Sequence, residues 1–262
     1  MFLFYLKKNF YDGWDNVGQM VVVNLIILLY SALMFFAVGA ASNLNTGLGF
    51  LVFVASCAGF AILVMAYGEN AVAIANYETR SVKEYFSQIK SCAKDGFLFG
   101  ALCGILISAC FIGIPGYLSF KTTLGFILAV ILFWIGVISL LALQWFIPLR
   151  SLLHNDFRKC LKKCFIIFFD NTFFSILVAF YTFLMIPLSV FLFFLIPSAA
   201  GILLAQINAL RLRLYKYDYL EQHPELTTRD EQKDIPWDEL IREDKECTGT
   251  RSLRSLIFPW KE

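Results

Sequence analysis

The chain has 262 residues, of which 59% are hydrophobic, 17% are aromatic and only 16% are charged. Soluble domains average roughly 45–50% apolar and about 25% charged residues, so this composition argues against a soluble protein. The formal net charge of +2 lacks the strong positive excess of nucleic-acid-binding domains, and we therefore expect no nucleic-acid partner.

Four stretches contain no Asp, Glu, Lys or Arg, and they cover residues 16–68, 96–120, 122–149 and 171–210. Since about 20 apolar residues cross a bilayer core as a helix, these stretches accommodate two, one, one and two crossings. The sequence therefore predicts an all-α membrane protein of six transmembrane helices arranged as three hairpins. The predicted spans are residues 20–41, 47–67, 97–114, 123–147, 172–186 and 189–210.

The distribution of basic residues predicts the orientation of these spans. Of the 22 Lys and Arg residues, only Lys121 falls in a connection that follows an odd-numbered span. Because basic connections are retained on the cytoplasmic side of a membrane, the remaining connections and both termini are expected in the cytoplasm. This pattern predicts a multi-pass protein of the cytoplasmic membrane.

The last uncharged stretch must reverse direction. As a single helix, residues 171–210 would be about 60 Å long, which is twice the thickness of the hydrocarbon core. Pro187 and Pro197 are the candidate helix breakers, since proline removes a backbone donor and clashes with the preceding turn. We expect the reversal near Pro187, with Pro197 kinking the last span. The alternative is a break at Pro197, and the last helix must then continue through Arg211 and Arg213 to be long enough.

A recurring dipeptide predicts a threefold internal repeat. Each predicted hairpin follows a charged, partly apolar segment that ends in Asp followed by Asn or Gly, as at Asp15-Asn16, Asp95-Gly96 and Asp170-Asn171. Each repeat unit would comprise an interfacial helix and a transmembrane hairpin. We favour helix N-capping as the role of these pairs. The alternative is a ring of carboxylates, Asp15, Asp95 and Asp170, that attracts cations at one mouth of the protein.

Polar residues in or near the first two spans are candidates for a transport path. If the second helix is unbroken as far as Arg80, Glu69 lies about three turns inside its basic end, with Asn70 beside it. An ionisable side chain is costly in that position and is a functional candidate. If the span instead ends near Tyr67, Glu69 lies at the headgroups. Asn24, in the first span, is expected to form an interhelical hydrogen bond.

The third span contains small residues at every fourth position. These are Gly96, Gly100, Gly104 and Ser108. Residues at this spacing share one helix face, and small residues let two helix backbones approach closely in lipid. The stripe therefore predicts a helix-packing surface, either within the chain or between two copies.

Two predicted cytoplasmic segments alternate apolar and basic residues at helical spacing. Their apolar positions are Val82, Tyr85, Phe86 and Ile89 in the first, and Leu153, Phe157, Cys160, Leu161 and Cys164 in the second. Their basic positions are Lys83, Lys90 and Lys94, and Arg158, Lys159, Lys162 and Lys163. Amphipathic helices of this kind lie in the membrane interface, with basic residues on anionic headgroups and apolar residues in the acyl boundary. The bilayer is thus the first expected partner.

The chain divides by charge into residues 1–213, expected to form the six-helix transmembrane domain, and residues 214–262, expected to form a charged cytoplasmic tail. The tail contains 8 Lys and Arg against 12 Asp and Glu. Two short amphipathic pieces are predicted within it, and their apolar positions are Trp237, Leu240 and Ile241, then Leu253, Leu256 and Ile257. They either dock on the protein's own cytoplasmic face or the headgroups, or bind a membrane-protein partner.

The chemistry-bearing residues argue against an enzyme. The seven cysteines are expected to be free thiols, and the two histidines, His154 and His223, provide little for a zinc site. Nucleotide-binding, zinc-protease and serine-hydrolase motifs are all missing from the sequence. We therefore expect no cofactor, no metal and no catalytic activity.

The first span and its approach carry one family resemblance. The aromatic segment that leads through DNVGQMVVVNLIILL, with an aromatic-Asp entry and Asn24 in the span, resembles the YesL-like family of small bacterial membrane proteins over roughly residues 9–210. The long acidic tail is a departure from that family. The resemblance implies an integral membrane protein without established activity that serves carbohydrate uptake systems.

Two functions are therefore expected from the sequence. The first is a non-enzymatic accessory or scaffold protein of the membrane, with the link to carbohydrate uptake implied by the resemblance. The second is a small-solute or ion transporter or channel, with Glu69 lining the path. Transport requires Glu69 to face a wet cavity, whereas the accessory role tolerates Glu69→Gln and depends on the tail.

Overall fold

The computed structural model describes residues 2–78, 80–225 and 235–249, and every regular element in these ranges is a helix. In chain order the helices are α1 (Phe2–Asp15), α2 (Val17–Leu44), α3 (Thr46–Ala75), α4 (Val82–Ser108), α5 (Ile114–Ser119), α6 (Thr123–Leu143), α7 (Phe146–Leu153), α8 (Phe157–Asp170), α9 (Thr172–Phe191), α10 (Ser198–Gln222), α11 (Trp237–Leu240) and α12 (Arg242–Thr248). A π-helical turn, Ala109–Gly113, joins α4 to α5.

Among the described residues, five helical segments are long and apolar enough to cross a membrane: α2, α3, α4 with α5, α6 with α7, and α9. Large apolar side chains cover their outer surfaces, including Phe35, Phe111 and Phe173, each more than three-quarters exposed. Because a soluble protein would bury such side chains, the fold is that of a helical membrane-embedded protein. The first five predicted spans correspond to these segments.

The sixth predicted span differs from the structure. Pro187 lies inside α9, the chain reverses over residues 192–197, and α10 begins at Ser198. The expected reversal at Pro187 is therefore wrong. The alternative break at Pro197 is the one observed, and α10 does continue through Arg211 and Arg213. Its 25 residues correspond to about 37 Å of helix, with an uncharged first half and a charged second half.

A side chain from the first span forms hydrogen bonds with the backbone of the reversal. The Asn24 amide donates to the backbone carbonyls of Leu195 at 2.8 Å and Pro197 at 2.9 Å, and its carbonyl accepts from the Ala200 N–H at 2.9 Å. The Ser189 hydroxyl accepts from the backbone of α10 at 2.9 Å. Irregular backbone is tolerated at membrane depth only when its polar groups find protein partners, so these contacts stabilise the reversal. The expected interhelical bond of Asn24 is thus observed.

At the three predicted Asp-Asn and Asp-Gly junctions, all of them described by the structure, no side chain caps a helix. Asp95 and Gly96 lie inside α4, so no helix begins there. Asn16 and Asn171 do precede α2 and α9, but neither side chain caps the helix it precedes. Asn16 instead donates back to the carbonyl of Asp12 at 2.9 Å. Asn16 and Asn171 thus occupy the predicted N-cap positions of α2 and α9. The predicted side-chain capping is nevertheless wrong, because the second junction remains helical and the other two amides bond to groups outside the new helix.

The small-residue stripe of α4 packs against α3 of the same chain. A Cβ atom placed on Gly100 would lie 2.5 Å from the Cα of Ala58, and one placed on Gly96 would lie 2.9 Å from the Cα of Ile62. Gly104 is also close to α3, and Ser108 at the end of the stripe is buried. The small residues of this stripe thus let the backbones of α3 and α4 pack in direct contact.

The helices α1, α7 and α8 and the second half of α10 meet at one end of the bundle, to which α12 also packs. We call this end the charged end. The predicted domain boundary at residue 213 falls inside α10, so the start of the predicted tail continues the last helix of the bundle.

Candidate functional site

The charged end contains a buried ion pair between two residues of α1. The Lys8 ammonium lies 3.0 Å from the Asp12 carboxylate, and the two side chains are only 1% and 6% exposed. The Asn208 side-chain amide of α10 donates to the Asp12 carboxylate at 2.9 Å and to the side-chain amide oxygen of Asn9 at 2.7 Å. This polar core fixes α1 against α10.

Burial disfavours the charged form of both Lys8 and Asp12. It lowers the pKa of Lys8 and raises the pKa of Asp12. Their mutual attraction opposes both shifts, and the hydrogen bond from Asn208 also opposes the shift of Asp12. A buried ion pair of this kind contributes little net stability, but the loss of one partner is strongly destabilising because the other charge is left uncompensated.

A second group of contacts binds α12 to the bundle. The Arg211 guanidinium lies 3.1 Å from the Asp244 carboxylate, which is 3% exposed, and it also donates to the backbone carbonyl of Ala75. The Tyr215 hydroxyl donates to the same carboxylate at 3.2 Å. The Tyr77 hydroxyl donates to the Asp244 backbone carbonyl at 3.1 Å. The α12 helix is therefore held by Tyr77, which follows α3, and by Arg211 and Tyr215 of α10.

Tyr77 joins the two groups. Its ring lies 3.7 Å from the Lys8 ammonium, a cation–π contact of a kind that gains strength on desolvation. The backbone φ of Tyr77 is 61°, a left-handed conformation that is uncommon for residues other than Gly, Asn and Asp. We call the connected set Lys8, Asp12, Tyr77, Asn208, Arg211 and Asp244 the polar latch.

The first amphipathic piece of the tail is part of this contact. Ile241 is fully buried, and Trp237 and Leu240 are half-buried. This segment therefore docks on the protein's own charged end, as one of the two sequence interpretations expected. The second predicted piece, with Leu253, Leu256 and Ile257, lies outside the described residues.

Glu69 lies inside α3, which continues unbroken to Ala75. Its carboxylate is 3.7 Å from Arg80 and 3.4 Å from the His154 imidazole, and the side chain is 22% exposed. Beside it is a polar cavity of about 30 Å³, which corresponds to the volume of about one water molecule. Its lining residues are Met65, Glu69, Gln88, Ser91, Cys92, Arg150 and Ser151.

Asn70, the neighbour of Glu69, is fully buried. Its amide donates to the Ser81 carbonyl at 3.3 Å, and its own carbonyl oxygen lacks a hydrogen-bond partner within the described part of the chain. Ser81 is the N-cap of α4 and forms a capping box with Glu84. Asn70 thus connects α3 to the start of α4.

The three predicted junction carboxylates have different surroundings. Asp95 receives a 2.7 Å hydrogen bond from Arg150. Asp170 accepts from the Tyr217 hydroxyl at 2.6 Å and lies 3.9 Å from Lys216. Asp15 is the exposed last residue of α1. Asp95 and Asp170 are therefore each engaged by a residue at the end of a later helix.

The two amphipathic segments pack differently from the expectation. Tyr85 in α4 and Cys160 and Cys164 in α8 are buried within the protein, so these parts of the apolar stripes do not enter the acyl boundary. The reason is that α4 and α8 use them to pack on the bundle. The predicted basic residues lie on the outer faces; Lys83, Lys90, Lys94, Arg158, Lys159 and Lys162 are exposed and Lys163 is half-buried.

Two larger cavities lie between the spans, and both are apolar. One, of about 450 Å³, lies between α2, α3, α9 and α10, and the other, of about 470 Å³, lies between α2, α3 and α4. Most of their lining is apolar. The polar side chains are Ser31 in both, Ser189, Ser198 and Gln206 in the first, and Tyr30 and Ser56 in the second. Such surfaces suit acyl chains better than ions.

All seven cysteines are free. Burial raises the pKa of the Cys160 and Cys164 thiols, so neither forms a reactive thiolate readily. In the described ranges, no three His, Cys, Asp or Glu side chains are grouped closely enough to hold a metal ion.

No family model, curated protein or solved structure matches the chain. The site is therefore defined by its own geometry. Sequence reasoning missed the polar latch, although one signal for it was present. Lys8 and Asp12 are four residues apart in an otherwise aromatic segment, the spacing at which opposite charges pair on a helix.

Proposed function

We propose that the protein is a non-enzymatic accessory or scaffold protein of the cytoplasmic membrane. The charged end would face the cytoplasm, as the basic connections indicate. The first half of α10 would complete six crossings, so both termini would lie on the cytoplasmic side. The paired contacts of Asp95 and Asp170 support a repeat of the second and third predicted units, because each joins the start of an incoming span to the end of its own outgoing helix.

The polar latch is the observation that carries this proposal. It connects α1, α10 and α12 through buried charges, and it gives the cytoplasmic end one fixed arrangement. A scaffold needs such a preformed surface, since a partner that binds an ordered surface avoids the cost of ordering it. The resemblance to YesL-like proteins directs the proposal to a carbohydrate uptake system as the membrane partner, with the tail as the contact.

A transporter or channel is the second candidate, and the polar cavity beside Glu69 favours it. That cavity is small, however, and Glu69 is already paired with Arg80 and His154. The two larger cavities are apolar and would disfavour a hydrated ion. The scaffold role therefore agrees better with the described part of the chain.

Complementation separates the two functions. Cells that lack the protein would receive the full chain, the Glu69→Gln variant, the matched Glu84→Gln variant or a chain that ends after Gln222, and uptake of labelled sugar would be measured. The scaffold role predicts that both Gln variants restore uptake and that the shortened chain does not. Failure of Glu69→Gln alone, together with solute flux through the purified protein in vesicles, would establish transport instead.

A further inference from the structure

The outer face of α8 is basic in its first half and apolar in its second half. Arg158, Lys162, Ile166 and Phe169 follow one another at spacings of four, four and three residues, so they share one helix face. Arg158 and Lys162 are exposed, and Ile166 and Phe169 are 53% and 66% exposed. Phe173, at the start of α9, is also exposed. We call these five residues the α8 face.

The opposite side of α8 explains why this face points outward. Cys160, Cys164, Ile167 and Phe168 are buried against the bundle. The helix is therefore anchored by one side, and the basic and apolar halves of the other side are both presented to the surroundings. No described segment of the chain covers them.

The basic half of the face lacks compensating charge. Within the part of the chain that the structure describes, Arg158, Lys162 and Lys163 form no ion pair, and Lys159 has only an exposed contact with Asp156 at 3.8 Å. Arg158 and Lys162 are like charges one helical turn apart, an arrangement that is unfavourable without a counterion. An anion bound between them would remove the repulsion.

We propose that the α8 face binds one anionic phospholipid of the adjoining leaflet. The lipid phosphate contacts Arg158 and Lys162, and the acyl chains lie along Ile166, Phe169 and Phe173. The guanidinium and ammonium groups form charged hydrogen bonds to the phosphate, and their uncompensated positive charge favours a lipid with a net negative charge over a zwitterionic one. The apolar half supplies contact area that a soluble phosphate cannot use.

The dimensions of the face agree with this ligand. Arg158 and Phe169 are 11 positions apart in α8, which at 1.5 Å per residue is about 16 Å. The chains of one lipid leaflet span a similar distance, about 15 Å, so a single lipid is long enough to contact both the basic and the apolar half of the face. This inference does not depend on the proposed scaffold function.

The α4 helix offers a matched control. Lys83 and Lys90 are exposed on its outer face, but Glu84 lies between them and pairs with Arg80 at 3.7 Å. Removing both lysines changes the net charge of the protein as much as removing both basic residues of the α8 face. A comparison of the two variants separates a local site from the general attraction of a basic surface.

The test measures phospholipid binding to the purified full chain in an uncharged detergent by native mass spectrometry. Phosphatidylglycerol would be titrated against phosphatidylcholine for the wild type, Arg158→Gln/Lys162→Gln and Lys83→Gln/Lys90→Gln. Since each basic residue near a membrane contributes about a fivefold preference for anionic lipid, we expect about a 25-fold loss of phosphatidylglycerol affinity in the α8 variant. The α4 variant is expected to lose less than about fivefold.

The Ile166→Ser/Phe169→Ser variant tests the apolar half. It should weaken phosphatidylglycerol binding while leaving the weaker binding of glycerol phosphate unchanged. All substituted side chains are exposed, and circular dichroism checks that the variants remain folded. Equal losses in the α4 and α8 variants would assign the effect to the whole basic surface and overturn the proposal. Phosphatidylcholine binding as tight as that of phosphatidylglycerol, or glycerol phosphate binding as tight as lipid, would also overturn it.

Discussion

Replacement of Gly100 by Ala tests the packing of α3 against α4. A Cβ atom at this position would lie 2.5 Å from the Cα of Ala58 and 2.8 Å from the Cβ of Ala61, and it would also meet the backbone carbonyl of Cys57. Two of these three neighbours are backbone atoms, which move only if a helix moves. Carbon atoms prefer separations of about 3.5–4.0 Å, so the helices must separate by ~1 Å.

The energetic cost follows from this displacement. Overpacking of a well-packed contact destabilises proteins by about 1–3 kcal/mol, and the separation also weakens the contacts of Gly96 and Gly104 along the same stripe. Alanine at an unconstrained helical position is instead favoured over glycine, by about 1 kcal/mol. Gly39 in α2 is such a position, since no atom lies within 4 Å of its ideal Cβ. We therefore expect Gly100→Ala to be about 2 kcal/mol less stable than Gly39→Ala.

Unfolding of the purified protein in detergent micelles by added sodium dodecyl sulfate, followed by circular dichroism, measures this difference. A difference of 2 kcal/mol changes the ratio of folded to unfolded protein about 30-fold. Gly104→Ala should fall between the two, because its nearest neighbour is the Cys57 side chain at 3.1 Å. If the Gly100 and Gly39 variants unfold at the same detergent fraction, the close helix approach is refuted.

Three further substitutions test the reversal and the polar latch. Asn24→Leu removes the partner of the Leu195 carbonyl and of the Ala200 N–H in the α9–α10 reversal, while the Pro197 carbonyl keeps its hydrogen bond from Gly201. Since each unsatisfied buried group costs about 1–3 kcal/mol, we expect a loss of at least about 2 kcal/mol in the same unfolding assay. Asp244→Asn weakens the contact with Arg211, so trypsin added to the purified protein should cleave near α12 several times faster, and an unchanged rate would contradict the latch. Lys8→Met leaves Asp12 buried without its cation and should cost about 3–5 kcal/mol at neutral pH. Because burial holds the pKa of Asp12 above its unfolded value, this penalty is present at high pH and should shrink as the pH falls through the raised pKa; a loss independent of pH would show that the charge is not its cause.

The sequence alone was sufficient to predict those helices whose formation depends on local composition. The second predicted span, residues 47–67, lies within α3 (Thr46–Ala75), and the fourth, residues 123–147, begins where α6 begins. Length and hydrophobicity determine such segments because a bilayer leaves a backbone few alternatives to a helix. The glycine stripe was also predictable, since its spacing alone places the small residues on one face.

The features that depend on distant partners were not predictable. Pro187 and Pro197 are equivalent breakers when only their own segment is considered. The contacts that stabilise the observed break come from Asn24, which precedes the reversal by more than 160 residues. The apolar stripes of α4 and α8 have the same periodicity whether they face lipid or protein. In both cases the amphipathic pattern shows that a face is buried, but the tertiary fold decides what buries it.

The ion pairs at the charged end suggest why the function should be sought there. Asp95 in α4 pairs with Arg150 in α7, and Asp170 at the end of α8 pairs with Lys216 in α10. In each of these two predicted repeat units, a polar contact therefore ties the incoming and outgoing helices together at the same end, where the latch adds α1 and α12. Polar contacts have defined geometry, so these ion pairs and the polar latch together hold the charged end in one specific arrangement. A fixed arrangement of this kind is what recognition of a partner requires.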